Sequence, residues 1–325
     1  IPLNSKMNIV IGNNGSGKSS LLMGALTAAS AFFLGIDYAS PRSIKTDDVR
    51  HVAHEVKKVY QQVAVYPVEV SCEGVVNGVT CKWSRSLSGP KSNTTYGGAF
   101  DLRNIASSLQ KSTSSEYSED VLPLIAYYGT GRLWAQKQAK KKGKQKLRSR
   151  FEGYRDCIAE QATDKQLLEW FSETTLLVSQ EGPIPQMTAV QQALERCFAD
   201  LIDHDETQRV KVEYRQRYRT VVVEYTNRSG EHELHPMYEM SDGYRSVLSM
   251  VADIAHRMAV LNPQLDDAIL ETPGIIIIDE VELHLHPGWR KRILKDLTSV
   301  FPNIQFIIST YSPEVITSYK EANLI

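Results

Sequence analysis

Residues 12–19 read "GNNGSGKS", with Gly12, Gly17, Lys18 and Ser19 at the fixed positions of the pattern GxxxxGK[ST]. They stand between a short apolar run, "MNIVI" (7–11), and "LLMGALTAASAFFLG" (21–35), rich in helix formers. The spacing predicts a strand, a glycine loop and a helix in immediate succession. A strand that passes straight into a helix must return before it can pair again, so the pattern commits this part of the chain to an α/β layer structure. Glycines allow successive backbone N–H groups to turn inward on phosphates, Lys18 has the reach for β/γ oxygens, and the Ser19 hydroxyl suits Mg2+. Asn13, Asn14, Gly15, Ser16, Gly17, Lys18, Ser19 and Ser20 are therefore the expected nucleotide-binding residues, for ATP with Mg2+.

Two later runs complete a sheet. "GIIIIDE" (274–280) and "NIQFIIST" (303–310) are nearly continuous in β-branched and apolar residues, and a helix-like "GWRKRILKDLTSV" separates them. Strands apolar on both faces and alternating with helices belong to a parallel sheet covered on both sides. Asp279 then emerges at a strand's carboxyl end, where ligands bind in such sheets. It is expected to hold the Mg2+, and Glu280 to polarise an attacking water; the alternative reading is an acidic pair that caps the next helix.

Elsewhere, alternation over 60–83 with Asn77-Gly78 predicts an antiparallel hairpin. The Ser-rich segment 105–120 reads as a loop or mobile helix end. An apolar run covers 121–134, and 135–150 carries eight basic residues and no acid. Helices are expected over 151–202 and strand over 210–226. In "SDGYRSVLSMVADIAHRMAVLNP" (241–263) the apolar residues recur at helical steps, and Ser241 and Asp242 stand where an N-cap belongs.

Thirty-seven basic residues against 38 acidic ones give no field suited to a dedicated nucleic-acid binder, so any such contact has to be local. The four cysteines lack metal-ligand spacing and read as reduced, partly buried thiols. With no apolar run of membrane-spanning length and no leader, the expectation is a cytoplasmic protein without membrane contact. The chain opens on Ile1 just before the loop and stops at Ile325, so further residues are expected at one or both ends.

The glycine loop, "SDGYR" opening an amphipathic helix, "IIIIDEVELHLHP" and "ISTYSPEV" together resemble the ABC-type ATPase heads of the RecF/SMC-like group, and within it the OLD and AAA-15/21 type ATPases. The resemblance spans nearly the whole chain. It implies an α/β P-loop head over 1–325 with a mostly parallel core sheet, an antiparallel β insertion (60–105), a basic loop and helical subdomain (135–202), and a signature helix, Walker B and switch region (203–325). It also implies head-to-tail dimers in which Ser241, Asp242 and Gly243 would offer a signature to the nucleotide of the other copy. A plain N-capped helix accounts for Ser241 but not for Gly243.

Two departures stand out. Where such heads carry a switch histidine, this chain has Tyr311, which donates a hydrogen bond but never becomes cationic; the expectation is slow or conditional hydrolysis, with Ser309 and Thr310 on the catalytic edge. Where they carry a glutamine loop, "AYYGTGRLW" offers none, and Arg132 is open to two readings, a phosphate contact or a structural role. "LIAYYGTGRLW", "FEGYRDC" and the signature segment are similar to the PtuA-type ATPases of Septu and retron-associated defence modules. That implies higher assembly, an HNH nuclease partner of the PtuB type and, in retron versions, a reverse transcriptase with its DNA–RNA hybrid.

The 135–150 run reads as a solvated loop or a phosphate-backbone contact. Alternation places Arg215, Arg217 and Arg219 on one strand face, the better nucleic-acid or acidic-partner candidate. His284 and His286 are read as part of a dimer-contacting loop. Rival functions are a DNA-clamping repair or chromosome-associated head, which would need a long coiled coil, and a transporter motor.

Overall fold

The computed structural model describes residues 1–56, 59–114, 118–133, 149–159, 164–199, 202 and 209–325. In chain order the elements are β1 (Met7–Ile11), α1 (Lys18–Ala29), β2 (His51–Val56), β3 (Val59–Ala64), β4 (Val68–Val76), β5 (Val79–Leu87), α2 (Phe100–Thr113), β6 (Leu124–Tyr128), α3 (Asp164–Glu181) and α4 (Pro185–Ala199). There follow β7 (Lys211–Arg215), β8 (Thr220–Thr226), β9 (His232–Pro236), α5 (Asp242–Leu261), β10 (Gly274–Ile278), α6 (Pro287–Arg290), α7 (Ile293–Val300), β11 (Ile304–Thr310), α8 (Pro313–Ser318) and β12 (Asn323–Leu324). They fall into two compact units, Ile1–Ser16 with Val121–Ile325, and Gly17–Asp120.

The first unit is built on a five-stranded sheet in the order β12-β1-β11-β10-β6, parallel at every pairing. Its strands are apolar on both faces because both faces are buried: Ile276, Ile277 and Ile278 of β10 and Phe306 and Ile308 of β11 are wholly inaccessible. The edge strand β6 is not left bare, since Tyr127 N–H donates to the Cys157 carbonyl at 2.8 Å. Helix α5 buries Val247, Leu248, Val251, Ile254, Ala255 and Met258, the stripe its sequence spacing predicts. A second sheet, β7-β8-β9, is antiparallel.

That sheet corrects the arginine reading. Strand β7 ends at Arg215, and Arg217 and Arg219 lie in the turn to β8, with Arg219 in the left-handed region (φ 51°), so the three share no strand face. Arg215 is engaged by Glu213 at 2.8 Å and by Glu224. The basic stretch 135–150 lies outside the described residues as far as 148.

In the second unit, Asn77 and Gly78 both take positive φ (49° and 75°) between β4 and β5, the backbone of a two-residue hairpin turn. Alternation along β5 buries Cys81, Trp83, Arg85 and Leu87, and the Trp83 indole N–H donates to the Ala28 carbonyl of α1 at 2.9 Å. Of the two readings of 105–120, loop or mobile helix end, the structure has helix α2 as far as Thr113, with residues 115–117 outside the described ones. Its buried residues Leu102, Ala106, Leu109 and Thr113 recur at helical spacing, and the stripe starts ahead of the serine cluster that masked it. The stretch Lys18–Gly35 has the length and hydropathy (1.2) to cross a membrane, contrary to the sequence reading; here Leu22, Leu26, Ala31, Phe32 and Phe33 are buried within the unit, as in a core helix.

Candidate active site

Strand register brings the chemistry to one edge. Val10 pairs with Ser309 and Ile11 with Thr310, while Ile278 pairs with Ile308 on one side and Tyr128 on the other. The chain therefore leaves β1 into Gly12, β10 into Asp279 and β11 into Tyr311 at the carboxyl ends of adjacent strands. Asp279 is nearly buried and Ser309 fully so. The Ser309 hydroxyl donates to Asp279 Oδ1 at 2.5 Å and accepts the Glu280 N–H at 2.8 Å, and the Ser309 carbonyl accepts the Val281 N–H at 3.2 Å. One serine thus fixes both the carboxylate of Asp279 and the path of the chain through Glu280.

Glu280 sits in the left-handed region (φ 48°). A non-glycine residue there is disfavoured and persists where surrounding structure holds it. Two residues on, Glu282 is 1% exposed. Its Oε1 accepts the Tyr311 N–H at 2.9 Å, and its Oε2 is buried with no hydrogen-bond partner among the described residues. Sequence reasoning passed over Glu282; the available signal was a carboxylate set among Val281, Leu283 and Leu285.

The four hydroxyls at the tip of β11 divide their work. Ser309 serves the acids. Thr310 is buried and its hydroxyl accepts the Ser312 N–H at 3.0 Å, so it closes the turn into α8. The Ser312 hydroxyl donates to Glu314 at 2.5 Å. Tyr311 is half exposed.

Ser241 is the N-cap of α5 with extended backbone, yet its side chain makes no capping bond; Asp242 pairs with Arg245. Gly243 has a packing reason inside this chain: a Cβ there would lie 2.5 Å from the His284 carbonyl oxygen. That contact removes the glycine as an argument for the signature, because close approach to the loop after the acids already demands it. Tyr244 then meets Trp289 edge to face at 3.9 Å. His286 caps α6, its Nδ1 accepting the Gly288 N–H at 3.3 Å.

On the far side of β10, the Asp279 N–H donates to the Tyr128 carbonyl at 2.9 Å. The Tyr128 hydroxyl donates to Asp253 Oδ2 of α5 at 2.8 Å, and the same oxygen accepts Arg257 Nε at 2.8 Å. Arg257 also donates to the carbonyls of Gly153 (2.9 Å) and Arg155 (2.8 Å). Burial, and then the Asp253 charge, push the Tyr128 phenol well above its ordinary value, and burial pushes the neighbouring Cys157 thiol up to about 12. So the segment that lacks a glutamine ties β10 to α5 through a tyrosine. The Arg132 side chain lies outside the described residues.

The glycine loop leaves β1 with Ser16 N–H donating to the Asn13 carbonyl at 3.1 Å. Gly15 (φ 80°) and Gly17 (φ 92°) take left-handed backbone that other residues adopt only under strain. In the second unit, Lys18, Ser19 and Ser20 open α1 behind Gly17, with no side-chain cap and no acid in the first turn. The helix start turns its positive dipole end to the loop, which fits a nucleotide phosphate. The buried Asp279 carboxylate, oriented by Ser309, is a fitting oxygen ligand for Mg2+.

The parallel sheet, glycine loop and Asp-Glu pair at its carboxyl edge define an ABC-type P-loop ATPase head. The chain belongs to the AAA-domain family, whose model matches residues 1–202. It is similar to the retron Vc95 probable ATPase of Vibrio cholerae serotype O1 biovar El Tor, with 27% identity over 95% of this chain and 66% of the relative. It is also similar to the Septu protein PtuA of Bacillus mycoides, with 32% identity over 38% of this chain and 15% of the relative. The chain thus spans 66% or less of the length of these relatives. Among solved structures, an Smc head bound to the C-winged helix domain of ScpA matches with TM-score 0.50 and 14% identity, covering 99% of this chain and 87% of that one, a likeness of fold.

Proposed function

We propose that this chain is an ATP-binding, slowly hydrolysing regulatory ATPase of a prokaryotic antiphage defence complex, acting in the cytoplasm. Similarity to the retron and Septu proteins supports the defence setting. The observation that carries the ATPase reading is Ser309 bonded at once to the Asp279 carboxylate and the Glu280 N–H.

Asn13 to Ser16, Gly17, Lys18 and Ser20 would hold the phosphates, and Ser19 with Asp279 would hold the Mg2+. The bound cation supplies charge neutralisation on the phosphate oxygens. Ser309 keeps Asp279 in one orientation, and Glu280, held at its N–H, would accept the proton of the attacking water. Tyr311 can donate a hydrogen bond but brings no positive charge, which makes turnover slow. Ser241, Asp242 and Gly243 would face the nucleotide of a second copy in a head-to-tail dimer, and the Ser241 hydroxyl, not engaged in capping, suits that role.

In this reading the nucleotide-held dimer restrains a PtuB-like HNH nuclease, with a reverse transcriptase and its DNA–RNA hybrid as a further partner in a retron setting. The test is light scattering of Glu280→Gln with and without ATP, followed by DNA cleavage assays on the co-purified nuclease. An ATP-trapped dimer with suppressed cleavage is expected; a monomer in both conditions, with cleavage indifferent to ATP, overturns the proposal.

A further inference from the structure

We propose that Glu282 is the positioning residue that sets Tyr311, an inference that rests on the ATPase reading above for its effect on turnover but not for the contact itself. The two strand ends are laced in both directions. Ser309 of β11 reaches across to Asp279 and Glu280, and Glu282 reaches back to accept the Tyr311 N–H at 2.9 Å. Tyr311 is half exposed and stands one residue past the end of β11, where strand pairing no longer holds it. Its backbone N–H is held by the Glu282 carboxylate, inside the turn that the Ser312 N–H to Thr310 hydroxyl bond closes.

Glu282 is an uneconomical choice for packing alone. It is 1% exposed and one of its oxygens has no hydrogen-bond partner among the described residues. A buried acceptor without a donor is destabilising, and an apolar side chain of the same shape would avoid that. The acceptor that does have a partner points at the residue in the switch position, which gives the carboxylate a local task. Glu282 touches no reacting atom in this arrangement; it acts through Tyr311.

The test uses Glu282→Met, Glu282→Ala and Glu282→Gln in the chain as it stands. Hydrogen exchange at the Tyr311 amide, read by mass spectrometry without nucleotide, reports the contact whether or not the protein hydrolyses ATP. Exchange should speed up roughly tenfold in E282M, the scale of one lost hydrogen bond, and remain slow in E282Q, which keeps an acceptor oxygen. Turnover should change about tenfold or more in E282M with ATP affinity unmoved and be restored in E282Q, a kcat effect without a binding effect. Unchanged exchange in E282M and E282A, or loss of protection in E282Q, overturns the assignment. If both truncations fail to fold while E282Q folds, Glu282 is a stability residue and the assignment is likewise overturned. Failure of the wild type to bind ATP, with the exchange pattern as expected, would sink the ATPase reading and leave the contact standing.

Discussion

Ser309 donates its hydroxyl proton to Asp279 Oδ1 across 2.5 Å, joining the strand that ends in Tyr311 to the carboxylate expected to hold the cation. The Ser309 hydroxyl oxygen itself accepts the Glu280 N–H, so the serine organises both acids. Ser309→Ala should cost about 1–3 kcal/mol of stability, because two buried polar groups lose their partner. It should also lower kcat about ten- to a hundredfold with little change in ATP affinity. Steady-state kinetics with a thermal melt checks this; a rise in Kd at constant kcat would refute it.

Gly243 and Ser241 separate packing from function. A methyl at 243 would meet the His284 carbonyl at 2.5 Å, so Gly243→Ala should destabilise by about 1–3 kcal/mol whatever the nucleotide does. Ser241 makes no side-chain cap bond, so Ser241→Ala should stay within about 0.5 kcal/mol of wild type while abolishing ATP-dependent dimerisation. Urea melts and light scattering give the two readouts.

The buried triad of Tyr128, Asp253 and Arg257 should show graded costs. Tyr128→Phe removes one hydrogen bond and should cost about 1 kcal/mol. Arg257→Met strands the Asp253 carboxylate and should cost about 3–5 kcal/mol. Equal costs, measured by chemical denaturation, would mean that the guanidinium is not what stabilises Asp253.

Alkaline pH should weaken the fold through Cys157. Burial raises its thiol from 9.0 to about 12, so above pH 9 the unfolded chain loses a proton that the folded chain keeps. The stabilisation from this group is fully present below about pH 9 and is lost as pH rises towards about 12, with a slope of about 1.4 kcal/mol per unit. Cys157→Ala should flatten the pH dependence of stability in that window, as measured by urea unfolding at several pH values.

How much of this was readable beforehand depends on the range of the interactions. The glycine loop, the isoleucine strand ending in Asp279 and the Asn77-Gly78 turn are local patterns, and each is found where its sequence puts it. Helix α2 was hidden because its stripe begins at Leu102, ahead of the serines. The Arg215–Arg219 face dissolved because a turn interrupts the alternation after Arg215. Gly243 against His284, Tyr128 on Asp253 and Glu282 beneath Tyr311 join residues from 29 to 125 positions apart. No window of sequence contains such pairs, and the residues that orient the candidate site belong to this group.

In the proposed function, nucleotide acts as a slowly hydrolysed latch. The most direct test is ATP retention and turnover by the purified protein beside Lys18→Ala, Glu280→Gln and Tyr311→His. The wild type should retain ATP and turn it over slowly, K18A should lose retention, E280Q should retain ATP without turnover, and Y311H should hydrolyse it faster. Rapid turnover by the wild type, unchanged in Y311H, would contradict it and make the protein a working motor.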